Sequence, residues 1–141
     1  VTVAEAVIAR LAAIAAVTAL VPASRIYQLI LQQRTTLPAI RVQRIDTIEF
    51  AHLRGTAAHF RSRVQVDAVV DASVGIAAAQ AIDAAAHGAG DGTALAGWKG
   101  AIGSPPFAIS AILPLDVRDF YSPDELRQIG VSRDYDVWHA S

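Results

Sequence analysis

The chain has 141 residues, 53% of them hydrophobic and 18% charged, a formal net charge of -1 and no cysteine. That length fits one domain over residues 1–141 with a core of its own, and the apolar content argues against disorder. Without cysteine, disulfides, thiolate zinc sites and cysteine nucleophiles are excluded. The charge is unevenly placed: residues 25–63 carry seven arginines against Asp46 and Glu49, and residues 64–141 carry four cations against ten acids. Two oppositely charged surfaces could meet in a head-to-tail oligomer, or the arginines could simply solvate strand faces.

Thr2-Val-Ala-Glu5 is a capping box that opens a helix. Val3, Val7, Ile8, Leu11 and Ile14 recur along one face of it, and Pro22 marks its end. The longest apolar run, Leu11 to Ala23, is broken by Thr18 and Pro22 and is shorter than the ~20 residues that span a bilayer. No basic segment precedes it as a secretory leader requires, so a soluble protein made in the cytoplasm is expected, with no membrane partner.

Arg25 to Leu31 reads as a short strand, and Pro38 introduces a longer one from Ala39 to Ile45. Asp46 to Phe60 is either a functional loop or a strand extension of a long hairpin. In Arg61 to Asp71 a period of two sets Val64, Val66, Ala68 and Val70 on one face, with Arg63, Gln65, Asp67 and Asp71 on the other. Asp71 to Ser73 is expected to cap an alanine-rich helix striped by Val74, Ala78, Ala81, Ile82 and Ala85. His87 then lies in its last turn, where a protonated imidazole suits the dipole, and Gly88 serves as the C-cap.

A glycine-rich connector around Trp98 leads to Phe107–Leu115, whose alternation puts Phe107, Ile109, Ala111, Leu113 and Leu115 on one face. Ser122 to Glu125 opens a helical turn ending at Gly130, and Val131–His139 is a last strand with Val131, Arg133, Tyr135, Val137 and His139 sharing a face. The sum is an α+β two-layer domain: a mainly antiparallel sheet of four to five strands, two helices on one face, and a long protruding hairpin.

The chemistry-bearing patterns are weak. Gly92 to Lys99 fails as a phosphate loop, because Trp98 stands where lysine is needed and no Ser or Thr follows. Trp98 then reads as a plug over the sheet edge or an interface anchor. His52, His59, His87 and His139 make no helical ligand pair, although His52 and His59 share the hairpin loop. Ser104 lies beside two prolines and no G-x-S-x-G elbow occurs, so a serine hydrolase has no support. Asp116, Asp119, Asp124, Glu125, Asp134 and Asp136 read as a solvated acidic face, one that DNA could slide past without sticking. Arg41, Arg44, Arg61 and Arg63 with Phe50 and Phe60 could instead form a nucleic-acid surface, against the sequence pI of about 6.4.

Ala15 to Val21 followed by Arg25-Ile-Tyr27, Leu37 to Gln43, Arg61 to Asp67 with the helix after it, Gly97 to Gly100, Arg118 to Tyr121 and Val131 to Trp138 together carry a resemblance. In their order and spacing the chain resembles the tail-completion, or tail-terminator, proteins of long-tailed bacteriophages and phage-derived gene transfer agents. Gly100 to Pro106 and Ser122 to Gly130 depart from the family's pattern. The resemblance implies a virion structural protein without catalysis, metal or cofactor. It implies a ring, usually a hexamer, that caps the tail tube, ends its polymerisation and docks the neck, with DNA passing through. The implied partners are further copies of the chain, the tail tube protein and a neck or stopper protein, and the implied place is the tail–neck junction. A neck adaptor or stopper is the alternative, and after it a small nucleic-acid-binding module. Subunit or tube contacts are expected at Arg41, Arg44, Phe50, His52, Leu53, Phe60, Arg61 and Arg63, with Trp98 as a further anchor.

Overall fold

A computed structural model describes residues 2–31, 36–52, 55–103, 105–122 and 127–140, with the backbone alone at 51, 52 and 55–58. The elements run α1 (Val3–Ala12), α2 (Ala15–Thr18), β1 (Ile26–Gln28), β2 (Ala39–His52), β3 (Gly55–Asp71), α3 (Ile76–His87), β4 (Gly100–Ile102), β5 (Phe107–Ser122) and β6 (Gln128–His139). The strands form one sheet in the order β1-β2-β3-β6-β5-β4, with β1 parallel to β2 and every other pair antiparallel. The α+β class stands, but the sheet has six strands and is mixed, and three helices accompany it. The short strand expected from Arg25 to Leu31 is present as β1, and the strand missed is β4, a three-residue piece at the other edge, too short to show a period.

The capping box is present: Glu5 N–H donates to Thr2 Oγ1 at 3.2 Å, and the Thr2 amide donates to Glu5 Oε2. The single first helix of the sequence reading is instead two. Ile14 takes an extended backbone between α1 and α2, and the bend buries Leu11, Ile14 and Val17 together. The helices cover one face of the sheet, the inner face, where Ile40, Val42, Val64, Val66, Ala68, Val70, Val131, Tyr135 and Val137 complete a single core. Removing a side chain such as Leu11 or Ile40 from water contributes about 1.5–3 kcal/mol each.

β2 is continuous strand from Ala39 to His52 and β3 from Gly55 to Asp71, so the described residues between Asp46 and Phe60, 46–52 and 55–60, are strand extension rather than loop. β6 ends opposite Phe60, and the residues of β3 before that point pair with β2 alone. This end of the hairpin projects past β6.

Three other local expectations change. Asp71 Oδ1 accepts from the Ser73 amide and hydroxyl in a turn that closes β3, whereas α3 starts later, at Ile76, with Gly75 as its uncapped N-cap. Val74 is therefore exposed, and Ala79, Ile82 and Ala86 form the buried stripe. In β5 an irregularity between Ile109 and Ala111 moves Ile112 to the inner face and Leu113 to the outer, so the five-residue face of simple alternation does not form. Gln128 to Gly130 are strand rather than the end of a helical turn, and residues 123–126 lie outside the described residues.

The connector before β4 is tied down from α1. Arg10 donates to the carbonyls of Gly92, Thr93 and Ala94 at 3.1–3.4 Å, and its guanidinium lies 4.8 Å from the centre of the Trp98 ring. Leu95 is thereby seated in the core, and the Gly97 amide reaches the Ile112 carbonyl at 2.8 Å. Gly97 has φ +80° and no room for a Cβ against the Gly90 carbonyl.

Candidate functional site

The outer face of the sheet carries no helix, and charged side chains cover it instead. Arg41 Nε on β2 donates to Asp67 Oδ2 on β3 at 2.7 Å. The second oxygen of Asp67 accepts from Ser132 on β6 and from Gln65 on β3. Gln65 in turn accepts from Arg118 on β5 at 2.9 Å. Arg63 donates to Asp134 at 2.6 and 2.9 Å and to Asp116 at 3.2 Å, and Arg118 reaches both acids from the far side. Four strands are laced by one network. The side chains of Asp67 and Asp134 are 0% and 3% exposed beneath the polar and charged side chains of this network. The hydrogen bonds it donates to Asp134, then the charge of that carboxylate, hold the Arg63 guanidinium more firmly protonated than usual.

Nearer the hairpin tip the outer face turns aromatic. Phe50 on β2 stacks on Trp138 on β6 with centroids 5.3 Å apart, and Arg61 on β3 lies 5.9 Å from both rings. On the inner face at the same height, His139 Nε2 meets Ser62 Oγ at 2.7 Å, Thr47 meets Ser62 at 2.8 Å, and Phe60 and Phe107 flank the imidazole. This serine–histidine pair resembles a nucleophile and base. Ser62 is 0% and His139 5% exposed, and with Thr47 the pair links β2, β3 and the end of β6.

α3 is fastened to β6 by polar contacts. Arg133 pairs with Asp83 at 2.9 Å, and His87 Nδ1 faces the Tyr135 hydroxyl at 3.2 Å. Burial, then the Arg133 charge, lowers the His87 pKa, so the protonated helix-end imidazole expected from sequence is not the favoured form. An apolar hollow of about 180 Å³ between α3 and the β2–β3 end, lined by Leu20, Val70, Val74, Ala78 and Ile82, is below the size of ordinary ligand sites and offers no convergent polar groups. Among the described residues no three His, Asp or Glu side chains are placed for a metal, and no helix is long and apolar enough to cross a membrane.

Both long edges of the sheet are only partly covered. β1 pairs with Ile40 to Val42, which leaves β2 open from Gln43 onward as far as the described residues go, and β4 pairs with Phe107 to Ile109 of β5. Beyond the Gly97 contact, no described residue pairs with the free edge of β5 from Leu113 to its end. Nine of the eleven exposed large hydrophobic side chains among the described residues lie along these two edges. Leu29, Ile30, Ile45, Ile48 and Phe50 flank β2, and Leu113, Leu115, Val117 and Tyr121 belong to β5. The open parts are diagonal: one lies toward the hairpin tip and the other toward the opposite end of the sheet.

The residues singled out from sequence therefore have different situations. Arg41 and Arg63 are engaged within the chain, Arg61 lies by two aromatic rings, and Phe60 packs on His139. Arg44 and Phe50 are exposed on the β2 edge. Trp98 is half-buried under Arg10, Leu53 lies outside the described residues, and of His52 only the backbone is described. The acidic block is not one solvated face, since Asp134 is buried and paired, while Asp116 and Asp119 are exposed and Asp124 and Glu125 lie outside the described residues. Sequence reasoning missed Asp67, Gln65, Ser132 and Arg118 as network members. The signal was present: Arg63-x-Gln-x-Asp67 and Ser132-x-Asp134 alternate with complementary chemistry on what proved to be neighbouring strands.

Comparison with known proteins agrees with this picture. No curated protein sequence matches the chain at a significant level. A solved structure described as the virion of a native gene transfer agent particle superimposes with a TM-score of 0.71 over 99% of this chain and 95% of that one, at 16% identity, and so shares the fold. The family described as tail completion protein gp17 matches residues 5–139. The chain belongs to that family and is a structural component of a phage or phage-like virion, not an enzyme.

Proposed function

We propose that this chain is the subunit of a closed ring that caps the tail tube, stops its growth and presents the docking surface for the neck, with DNA passing through the ring. The observation that carries this is the pair of open, apolar strand edges on opposite sides of one sheet. Two different surfaces at opposite ends of a subunit suit a heterologous contact, and heterologous contacts that close by rotation make rings. An unpaired apolar edge is an aggregation hazard in a monomer, which supports its being covered in the assembled state. Membership of a tail completion family and the fold shared with a gene transfer agent virion structure support the tail as the place. A ring of six copies, and the tube and neck proteins as partners, follow from the family resemblance. The exposed Arg44 and Phe50, together with His52 and Leu53, are the residues we assign to contacts with neighbouring copies or the tube. Arg61, Phe60 and Trp98 support these contacts from within.

Light scattering coupled to size exclusion tests the ring. The expected mass is a fixed multiple of the 14.9 kDa chain, reached as concentration rises. Particles made without the chain should carry overlong or headless tails in electron micrographs. Normal tail length and normal head joining in its absence would overturn the capping role.

A further inference from the structure

The two open edges are complementary in more than apolarity. Within the chain, β2 and β5 run in opposite directions, so a neighbouring copy kept in the same orientation would bring its β5 antiparallel to the open part of β2 and continue the sheet. The faces are also conserved across such a junction. Arg44 is opposite Val64 and Asp119 is opposite Val131, which places both on the inner face. Asp46, opposite Arg63, and Arg118, opposite Ser132, are both on the outer face.

Setting Arg44 against Asp119 then decides the rest. The irregularity in β2 between Arg44 and Asp46 steps over Ile45, so Asp46 falls opposite Arg118 and Thr47 opposite Val117. Opposite charges meet on both faces in one register. Arg44 and Asp119 are exposed and form no ion pair with a described residue of their own chain. Pro114, which lacks an amide, and the irregularity between Pro114 and Val117 limit the ladder on the β5 side, which confines pairing to this short stretch.

We infer that adjacent copies are joined by antiparallel strand pairing between the open edge of β2 and the open edge of β5, with Arg44 of one copy against Asp119 of the next. The inference rests on the ring reading and names the contact that closes it. Opposed side chains on such strands come within disulfide reach, and the chain contributes no cysteine of its own to confuse the result.

The experiment uses the full chain. Arg44→Asp and Asp119→Arg should each weaken assembly by about tenfold or more while leaving the thermal midpoint of the monomer unchanged, and the double exchange should restore it. Oxidised Arg44→Cys/Asp119→Cys protein should run as a ladder of covalent multimers, and neither single variant should. If the unaltered chain forms a ring and these variants neither disturb nor cross-link it, the edge contact is wrong and the ring stands. If the variants lose only attachment to tail tubes while the ring persists, the edge belongs to the tube partner and the inference falls. If the unaltered chain never exceeds a monomer, with or without tail tubes, both readings fall.

Discussion

At the scale of single residues, the positions that matter most are those where an ordinary substitution has nowhere to go. Gly130 lies on β6 with the Phe120 ring laid across it and the Ala68 carbonyl behind, so any Cβ collides with both. Gly130→Ala should lower stability by about 2 kcal/mol or more, read from urea unfolding. An unchanged midpoint would mean the strands part easily at that point. His87 is the pH-sensitive counterpart. Its folded pKa lies below the ordinary 6.5, through burial and the nearby Arg133, with Asp83 partly opposing and the Tyr135 hydroxyl beside it. The unfolded chain therefore binds the proton first, and stability is full above pH 6.5 and erodes as pH falls below it. His87→Gln should lose part of the drop in thermal midpoint between about pH 7.5 and about pH 5.5. An equal drop in both proteins would assign the acid sensitivity elsewhere.

At the scale of elements, the long strands were legible and their interruptions were not. Alternation gave the two faces of β3 and the shared face of Val131, Arg133, Tyr135, Val137 and His139 on β6, because each face of those strands meets a uniform environment. In β5 one extra residue at Ser110 reverses inside and outside, and no local residue pattern announces it. The break at Ile14 was hidden likewise, since alanine on both sides favours helix and only the tertiary gain of burying Ile14 and Val17 selects the bend. The connector from Gly88 to Lys99 was opaque because its partner is distant in sequence: Arg10 caps three of its carbonyls from α1. Arg10→Ala should cost about 1–3 kcal/mol, seen in denaturant unfolding. Its local signature is faster amide exchange at Leu95 and Gly97, and exchange as slow as before would show that the connector holds itself.

At the scale of the whole molecule, the charge asymmetry of the sequence is in part resolved inside the chain. The basic hairpin and the acidic second half are neighbours in the sheet, so Arg41 and Arg63 meet Asp67, Asp116 and Asp134 without a second copy. Linear charge runs could not reveal that, because strand order decides which segments touch. Arg44 and Asp119 are among the described charges that form no ion pair within the chain, and both lie near the exposed apolar side chains. The candidate contacts were thus half readable: Arg44 and Phe50 were in view from the hairpin, whereas the whole β5 edge needed the topology.

The placement of the two tryptophans has a consequence for watching this molecule. Trp98 sits beneath Arg10 beside the core, and Trp138 is stacked on Phe50 next to the open edge of β2. One indole is thus a witness to folding, and on the proposed edge contact the other is a witness to neighbours. With Trp98 replaced by phenylalanine, the remaining emission colour and quenching belong to the rim alone, so the growth and closure of an assembly become visible as light without any attached dye.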